Sequence, residues 1–180
     1  MKIIITTEMP AAGKEEFLMI CQARGAQIVR MGDIVRAKAK EFGLDNSDNS
    51  VGTLANEERK RYGMDVWAKR TIPFVGGDLV VIDGTRGPDE VKAFKKAFGD
   101  SLVVVALHSS PRTRYDRIKT RGRGDSPESL AEFEQREVRE MAWGLGNVIA
   151  TADYMIVNEG TLEDLKVAVD ILLDKLLSKR

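Results

Sequence analysis

Cysteine is nearly missing from this chain, and its one example, Cys21, rules out an internal disulfide. Cys21 lies in the helical run EEFLMICQAR, and nothing around it would lower a thiol pKa, so half-buried packing is expected rather than a nucleophile. An excess of one charge is missing as well. With 28 Lys and Arg against 28 Asp and Glu, no net field draws the whole molecule to nucleic acid or to an anionic membrane. Any anion site must therefore be local. Long apolar runs are also lacking: MKIII is too short for a signal h-region and has no cleavage site, and nothing approaches the roughly 20 residues that span a bilayer. A soluble, cytoplasmic protein is expected. Its 180 residues fit one domain over 1–180 with a core large enough to fold alone, and no repeat or low-complexity linker divides it.

What is present is alternation. Short apolar runs and longer segments of helical period follow one another, the pattern of an α/β fold with a parallel sheet. KIIIT (2–6), AQIVRM (26–31), DLVVID (78–83), SLVVVAL (101–107) and DYMIV (153–157) read as strands, the last three as central ones because both faces are apolar. Helices are expected over 14–24, ended by Gly25, and over 33–42 with Asp33 near its N-cap. Two more adjoin between 50 and 74, broken near Tyr62 and Gly63. Others follow around 88–98, 111–121, 127–143 and 161–178, the last with a leucine and valine stripe from Leu162 to Leu177.

TTEMPAAGKEE (6–16) follows the first strand and opens the first helix. A strand, a loop ending in Gly-Lys and a helix are the setting of a phosphate-binding loop, in which backbone N–H groups and the helix N-terminus surround phosphates and the lysine reaches their oxygens. Gly13 and Lys14 fit that signature. Glu8 stands where it has glycine and Glu15 where it has serine or threonine, while Ala11 and Ala12 occupy positions where small residues or glycine are usual. A carboxylate about 5 Å from a phosphate charge is repelled by roughly 3 kcal/mol at an effective dielectric near 20. Three arrangements answer that repulsion differently: the loop excludes phosphate, Glu15 holds Mg²⁺ in place of the missing hydroxyl, or Lys14 neutralises Glu8 or Glu15 in a self-occupied loop.

Other segments fit phosphoryl transfer. VVIDG (80–84) ends a strand in Asp83, where an acid would meet a metal or its water, although a turn acid before Gly84 reads the same. MGDIVR (31–36) spaces Asp33 and Arg36 three apart, so they can share a helix face, as phosphate contacts or as a surface ion pair. Arginines are dense from Arg112 to Arg139, and RGRGD (121–125) leaves a helix in a glycine-containing loop able to close over phosphates; a solvated helix with acidic partners is the plainer alternative. His108 could line a crevice at a strand end, though a hydrogen-bonded core or edge position is preferred. Trp67 and Trp143 are expected to pack helices.

Taken together, GDIVR, VIDGTR, RIKTRGRGD and ADYMIVNEGTLEDL (152–165) resemble motifs of the nucleoside monophosphate kinases and dephospho-CoA kinase. Nearly the whole chain is similar to the small archaeal adenylate-kinase-related family of ATP-binding, nucleotide-kinase-like proteins. That resemblance implies a three-layer α/β P-loop NTPase fold: a parallel sheet of about five strands flanked by helices, with a helical acceptor flap over 32–75 and a short arginine-rich lid over 121–136. It implies ATP and Mg²⁺ as cofactors, with Pro10, Ala11, Ala12, Gly13, Lys14 and Glu15 at the donor phosphates, Arg117 near the donor base and Asn158 bordering adenine. Glu15 and Asp83 would serve the metal. Asp33, Arg36 and Arg86 would hold the acceptor, and Arg121, Arg123 and Arg136 would act with Lys14 and Asp83 on the transferring group, with Asp125 orienting the lid. A small-molecule nucleotide is the expected partner. The departures from the family pattern lie in the loop itself, so a nucleotide-binding or sensing protein without transfer stands as the alternative, and nucleic-acid binding through the arginines is disfavoured by the neutral charge and interleaved glutamates.

Overall fold

The computed structural model describes residues 1–45, 47–121 and 129–178. Strand β1 (Lys2–Glu8) buries Ile3 to Thr7 without interruption, as a strand covered on both faces must. It is central in a fully parallel sheet with β2 (Gln27–Arg30), β3 (Leu79–Asp83), β4 (Leu102–His108) and β5 (Tyr154–Val157), in the order β2-β3-β1-β4-β5.

The period of two along β1 sorts its side chains between two helical layers. Ile4 faces α1 (Lys14–Ala23) and α9 (Leu162–Ser178), where Phe17, Leu18 and Cys21 meet Leu165, Val169 and Leu173. Ile3 and Ile5 face the opposite layer, in which α2 (Met31–Glu41), α4 (Val66–Thr71), α5 (Pro88–Phe98) and α8 (Leu145–Ala150) supply Val35, Trp67, Phe94 and Val148. The expected three-layer arrangement around five parallel strands is therefore present. Helices α3 (Asp48–Tyr62), α6 (Pro111–Arg121) and α7 (Leu130–Ala142) complete the described α-helices. Trp67 donates from Nε1 to the Ala55 carbonyl at 3.1 Å and fastens α4 to α3, a packing role. Among the described residues, no helix is long and apolar enough to cross a membrane.

Several boundaries differ from the sequence expectation for local reasons. Helix α2 starts at Met31, so Arg30 is its N-cap residue and Asp33 lies inside the first turn. The helix expected over 127–143 is α7 among the described residues, and a short further helix that the sequence did not single out, α8, follows it, turned by Gly144 at φ +91°, where a Cβ would come within 2.8 Å of Pro88 Cδ. Strand β5 is an edge strand, with Met155 and Val157 exposed and only Ile156 buried. Its apolar run had implied cover on both faces. Of the α9 stripe, Leu162 and Leu177 are exposed while five residues between them are buried.

The chain leaves β1 toward β2 on one side and β4 toward β5 on the other. Loops diverge at the carboxyl edge between such strands, which is where parallel sheets bind ligands. The loop after β1 lies at that divergence.

Candidate functional site

The loop turns tightly between Glu8 and Lys14. Ala12 N–H donates to the Met9 carbonyl at 3.2 Å, and Ala11 takes φ +67°, a left-handed backbone that costs an alanine about 1–2 kcal/mol. Gly13 has φ +108°, and a Cβ there would collide with Asn158 Nδ2, so both backbone and neighbour require glycine. No side chain caps α1, whose first turn carries Glu15 and Glu16.

Beneath the loop four charged side chains form one network. Lys14 Nζ lies 3.1 Å from Asp83 Oδ1 and 3.9 Å from Glu15 Oε1. Arg30 donates from Nη1 to Glu15 Oε1 at 3.2 Å and to Asp83 Oδ2 at 3.1 Å, and from Nη2 to Glu15 Oε2 at 2.9 Å. Arg30 and Asp83 are paired in register at the ends of β2 and β3, which puts the guanidinium beside the acid by backbone geometry. Asp83 is only 4% exposed. The Glu15 hydrogen bond, more than any other contact, raises the Arg30 pKa above its ordinary value. Glu8 stands apart from this network and accepts a 2.9 Å hydrogen bond from Thr6 Oγ1. Desolvation pushes its carboxyl up to about 7, with Asp83 adding to the rise and Lys14 opposing it.

A cleft of about 210 Å³ opens above these groups. Glu8, Lys14 and Glu15 line it from the loop, Thr85 and Arg86 from the turn after β3, and Arg136 and Glu140 from α7. Arg86 is 3.3 Å from Glu140 Oε2 and its guanidinium lies 5.0 Å from the Trp143 ring centroid, with Arg59 at 6.0 Å from the same ring. The half-buried Trp143, at the end of α7, thus faces one arginine from α3 and one from the cleft. Three cations anticipated from the sequence, Lys14, Arg86 and Arg136, share this cleft.

Two α6 arginines hold the loop from its protein side. Arg114, 3% exposed, donates to the Ser109 carbonyl at 2.9 Å and reaches the Pro10 carbonyl at 3.5 Å, while its guanidinium forks onto Glu137 of α7, Nη2 at 2.6 Å from Oε2. Arg117 bonds Ser109 Oγ at 2.9 Å and the Asn158 carbonyl at 3.1 Å, and reaches the Ala11 carbonyl at 3.5 Å. Asn158 is buried and donates from Nδ2 to the Ala12 carbonyl at 2.9 Å. Arg117 and Asn158, expected beside the donor base, lie against the loop backbone.

Other anticipated residues lie elsewhere. Asp33 and Arg36 are exposed on α2, 3.6 Å apart, and are not among the cleft lining. His108, expected at a core or edge position, is exposed at the end of β4. Arg121 ends α6, but its side chain, together with Arg123 and Asp125, lies outside the described residues. Arg30 was not singled out from the sequence, and Arg114 and Glu137 were read there only as part of the arginine-dense segment and its acidic partners. Arg30 had one signal, a charge ending an apolar strand run, but the sequence does not show which strand lies beside it.

A family model described as an AAA domain matches residues 8–134, which include the loop after β1. Over 162 residues the chain is 44% identical to a UPF0200 protein of Thermoplasma volcanium, spanning 89% of this chain and 90% of the relative. It belongs to this AAA-domain family, among the UPF0200 proteins. A UPF0200 protein of Thermococcus kodakarensis is 39% identical over 98% of the chain and 99% of its own length. The five-strand parallel sheet of this chain, flanked by helices, is the fold of solved P-loop kinases. Shikimate kinase from Bacteroides thetaiotaomicron superposes with a TM-score of 0.64 at 14% identity, covering 98% of both chains, and a gluconokinase from Sinorhizobium meliloti gives 0.57, also at 14% identity. At such identities the likeness concerns the fold.

This fold implies nucleotide and Mg²⁺ binding in general, the metal held by the residue after the loop lysine and by the strand-end acid. In this UPF0200 chain those positions are Glu15 and Asp83. Both Glu15 oxygens and Asp83 Oδ2 accept from Arg30. Asp83 Oδ1 is buried without an aligned hydrogen bond, yet Lys14 faces it at 3.1 Å as a point charge. Among the described residues no cluster of three or more His, Cys, Asp or Glu is placed to hold a metal ion. The arrangement does not fit a divalent ion between Glu15 and Asp83 while Arg30 holds both.

Proposed function

We propose that this chain is a cytoplasmic nucleotide kinase-like protein that seats the phosphates of an adenine nucleotide on residues 8–15 and transfers a phosphoryl group to an AMP-like acceptor. The observation that carries the reading is the shared cleft of Lys14, Arg86 and Arg136 at the N-terminus of α1. Phosphoryl transfer asks little covalent chemistry of a protein and much positioning and charge neutralisation. Lys14 takes the donor phosphates with the helix N-terminus. Arg86, braced on Trp143 and Glu140, holds the acceptor side, and Arg136 stabilises the charge that spreads in the transition state. Asp33 and Arg36, exposed on α2, would contact an acceptor only from outside the cleft.

A second reading, nucleotide binding without transfer, is favoured by the closed ion pairs among Lys14, Glu15, Arg30 and Asp83. Calorimetric titration with ATP and AMP, followed by a coupled turnover assay, separates the two. Micromolar ATP binding with AMP-dependent turnover supports transfer. If AMP binds while ATP does not, and Glu8→Gly with Glu15→Ser restores ATP binding, the loop acids exclude the donor and transfer is ruled out for the native chain.

A further inference from the structure

At the two positions that hold the divalent ion in a P-loop there is an arginine fork instead, and we infer that the Arg30 guanidinium is the resident cation of this loop, so that phosphate binds here without a divalent metal. The inference rests on reading residues 8–15 as a phosphate-binding loop.

Position carries the argument first. P-loop NTPases hold Mg²⁺ between the residue after the lysine and the strand-end acid. Here Arg30 Nη1 bonds both of those residues, Glu15 at 3.2 Å and Asp83 at 3.1 Å, and Nη2 bonds the second Glu15 oxygen at 2.9 Å. The contact with Glu15 is the bidentate geometry in which a guanidinium matches a carboxylate. A serine or threonine at 15 could not form that two-point pair, so the substitution and the arginine belong to one arrangement.

Charge balance agrees with position. Glu15 and Asp83 carry two negative charges, Lys14 and Arg30 two positive ones, and arginine cannot shed its proton in a protein. Mg²⁺ requires near-octahedral oxygen ligands at about 2.0–2.1 Å. To reach Glu15 and Asp83 it would have to displace Arg30, whose backbone is fixed on β2 in register with Asp83. The Arg30 backbone is part of the sheet, and its side chain, 35% exposed, reaches both acids from there. A phosphate entering the cleft meets Lys14 with Glu15 and Asp83 already paired to Arg30.

The experiment is a Mn²⁺ titration of the full chain without nucleotide, read by electron paramagnetic resonance, beside ATP calorimetry in Mg²⁺ and in EDTA. Wild type is expected to leave the free Mn²⁺ signal undiminished, and Arg30→Met, which bares Glu15 and Asp83, to bind the ion. ATP affinity of the wild type should agree within about twofold in the two buffers. Stoichiometric Mn²⁺ binding by wild type that Asp83→Asn removes would overturn the inference. So would a folded Arg30→Met that remains silent toward Mn²⁺, or a tightening of wild-type ATP affinity by Mg²⁺ of about tenfold or more. If Arg30→Met does not fold, wild-type Mn²⁺ binding and its response to Asp83→Asn decide the matter. If ATP binds in neither buffer, the nucleotide reading fails, while the Mn²⁺ result still identifies the resident cation.

Discussion

Glu8 ends β1 where a P-loop ordinarily has glycine, and its neighbours decide what it does. Burial raises its pKa from 4.5 to about 7, so the folded chain retains a proton that the unfolded chain has released between those values. Stability from this group is fully present below its unfolded pKa and is lost as pH rises through about 7. Urea midpoints measured between about pH 5 and about pH 8 should fall with rising pH, and Glu8→Gln should flatten that fall. An unchanged slope in the variant would assign it to other groups. At this scale the acids at 8 and 15 are legible in the sequence, and so is their conflict with phosphate. Their partners are not: Glu15 is answered by Arg30 from another strand, and Glu8 by Thr6 and its own protonation.

Among the elements, α6 and α7 do the bracing. Arg114 joins the Pro10 carbonyl, the Ser109 carbonyl and Glu137, and its guanidinium lies 5.5 Å from the Phe133 ring centroid. Removing one partner of a buried pair leaves the other uncompensated, so Arg114→Ala should cost about 3–5 kcal/mol in chemical denaturation. Glu137→Ala in that background should add little, because the pair acts as a unit. A full additional loss from the second substitution would show that Arg114 works through the loop carbonyls alone. Element type was legible wherever the period was strong: α5 and α6 occupy the residues their patterns predict. The β5 edge was not legible, because the apolar run YMIV reads the same whether or not a neighbour covers its outer face.

For the whole molecule, the even balance of 28 basic and 28 acidic residues leaves local fields only. Retention of RNA or DNA on filters should be negligible at about 0.1 M salt, and strong capture with a steep salt slope would move the function to the arginine-rich segment. The sequence by itself determined the alternating α/β order, the Gly-Lys loop between first strand and first helix, and the acids at 8 and 15 within it, because apolar period and local turn chemistry are written in neighbouring residues. Only the tertiary structure decided that Arg30 from β2, Asp83 from β3 and Glu15 from α1 form one ion network, and that Ser109 after β4 and Asn158 after β5 support the loop. The physical reason is strand order. Parallel pairing in the sequence β2-β3-β1-β4-β5 places strand ends from distant parts of the chain at one edge, and no local period records which strand lies beside which.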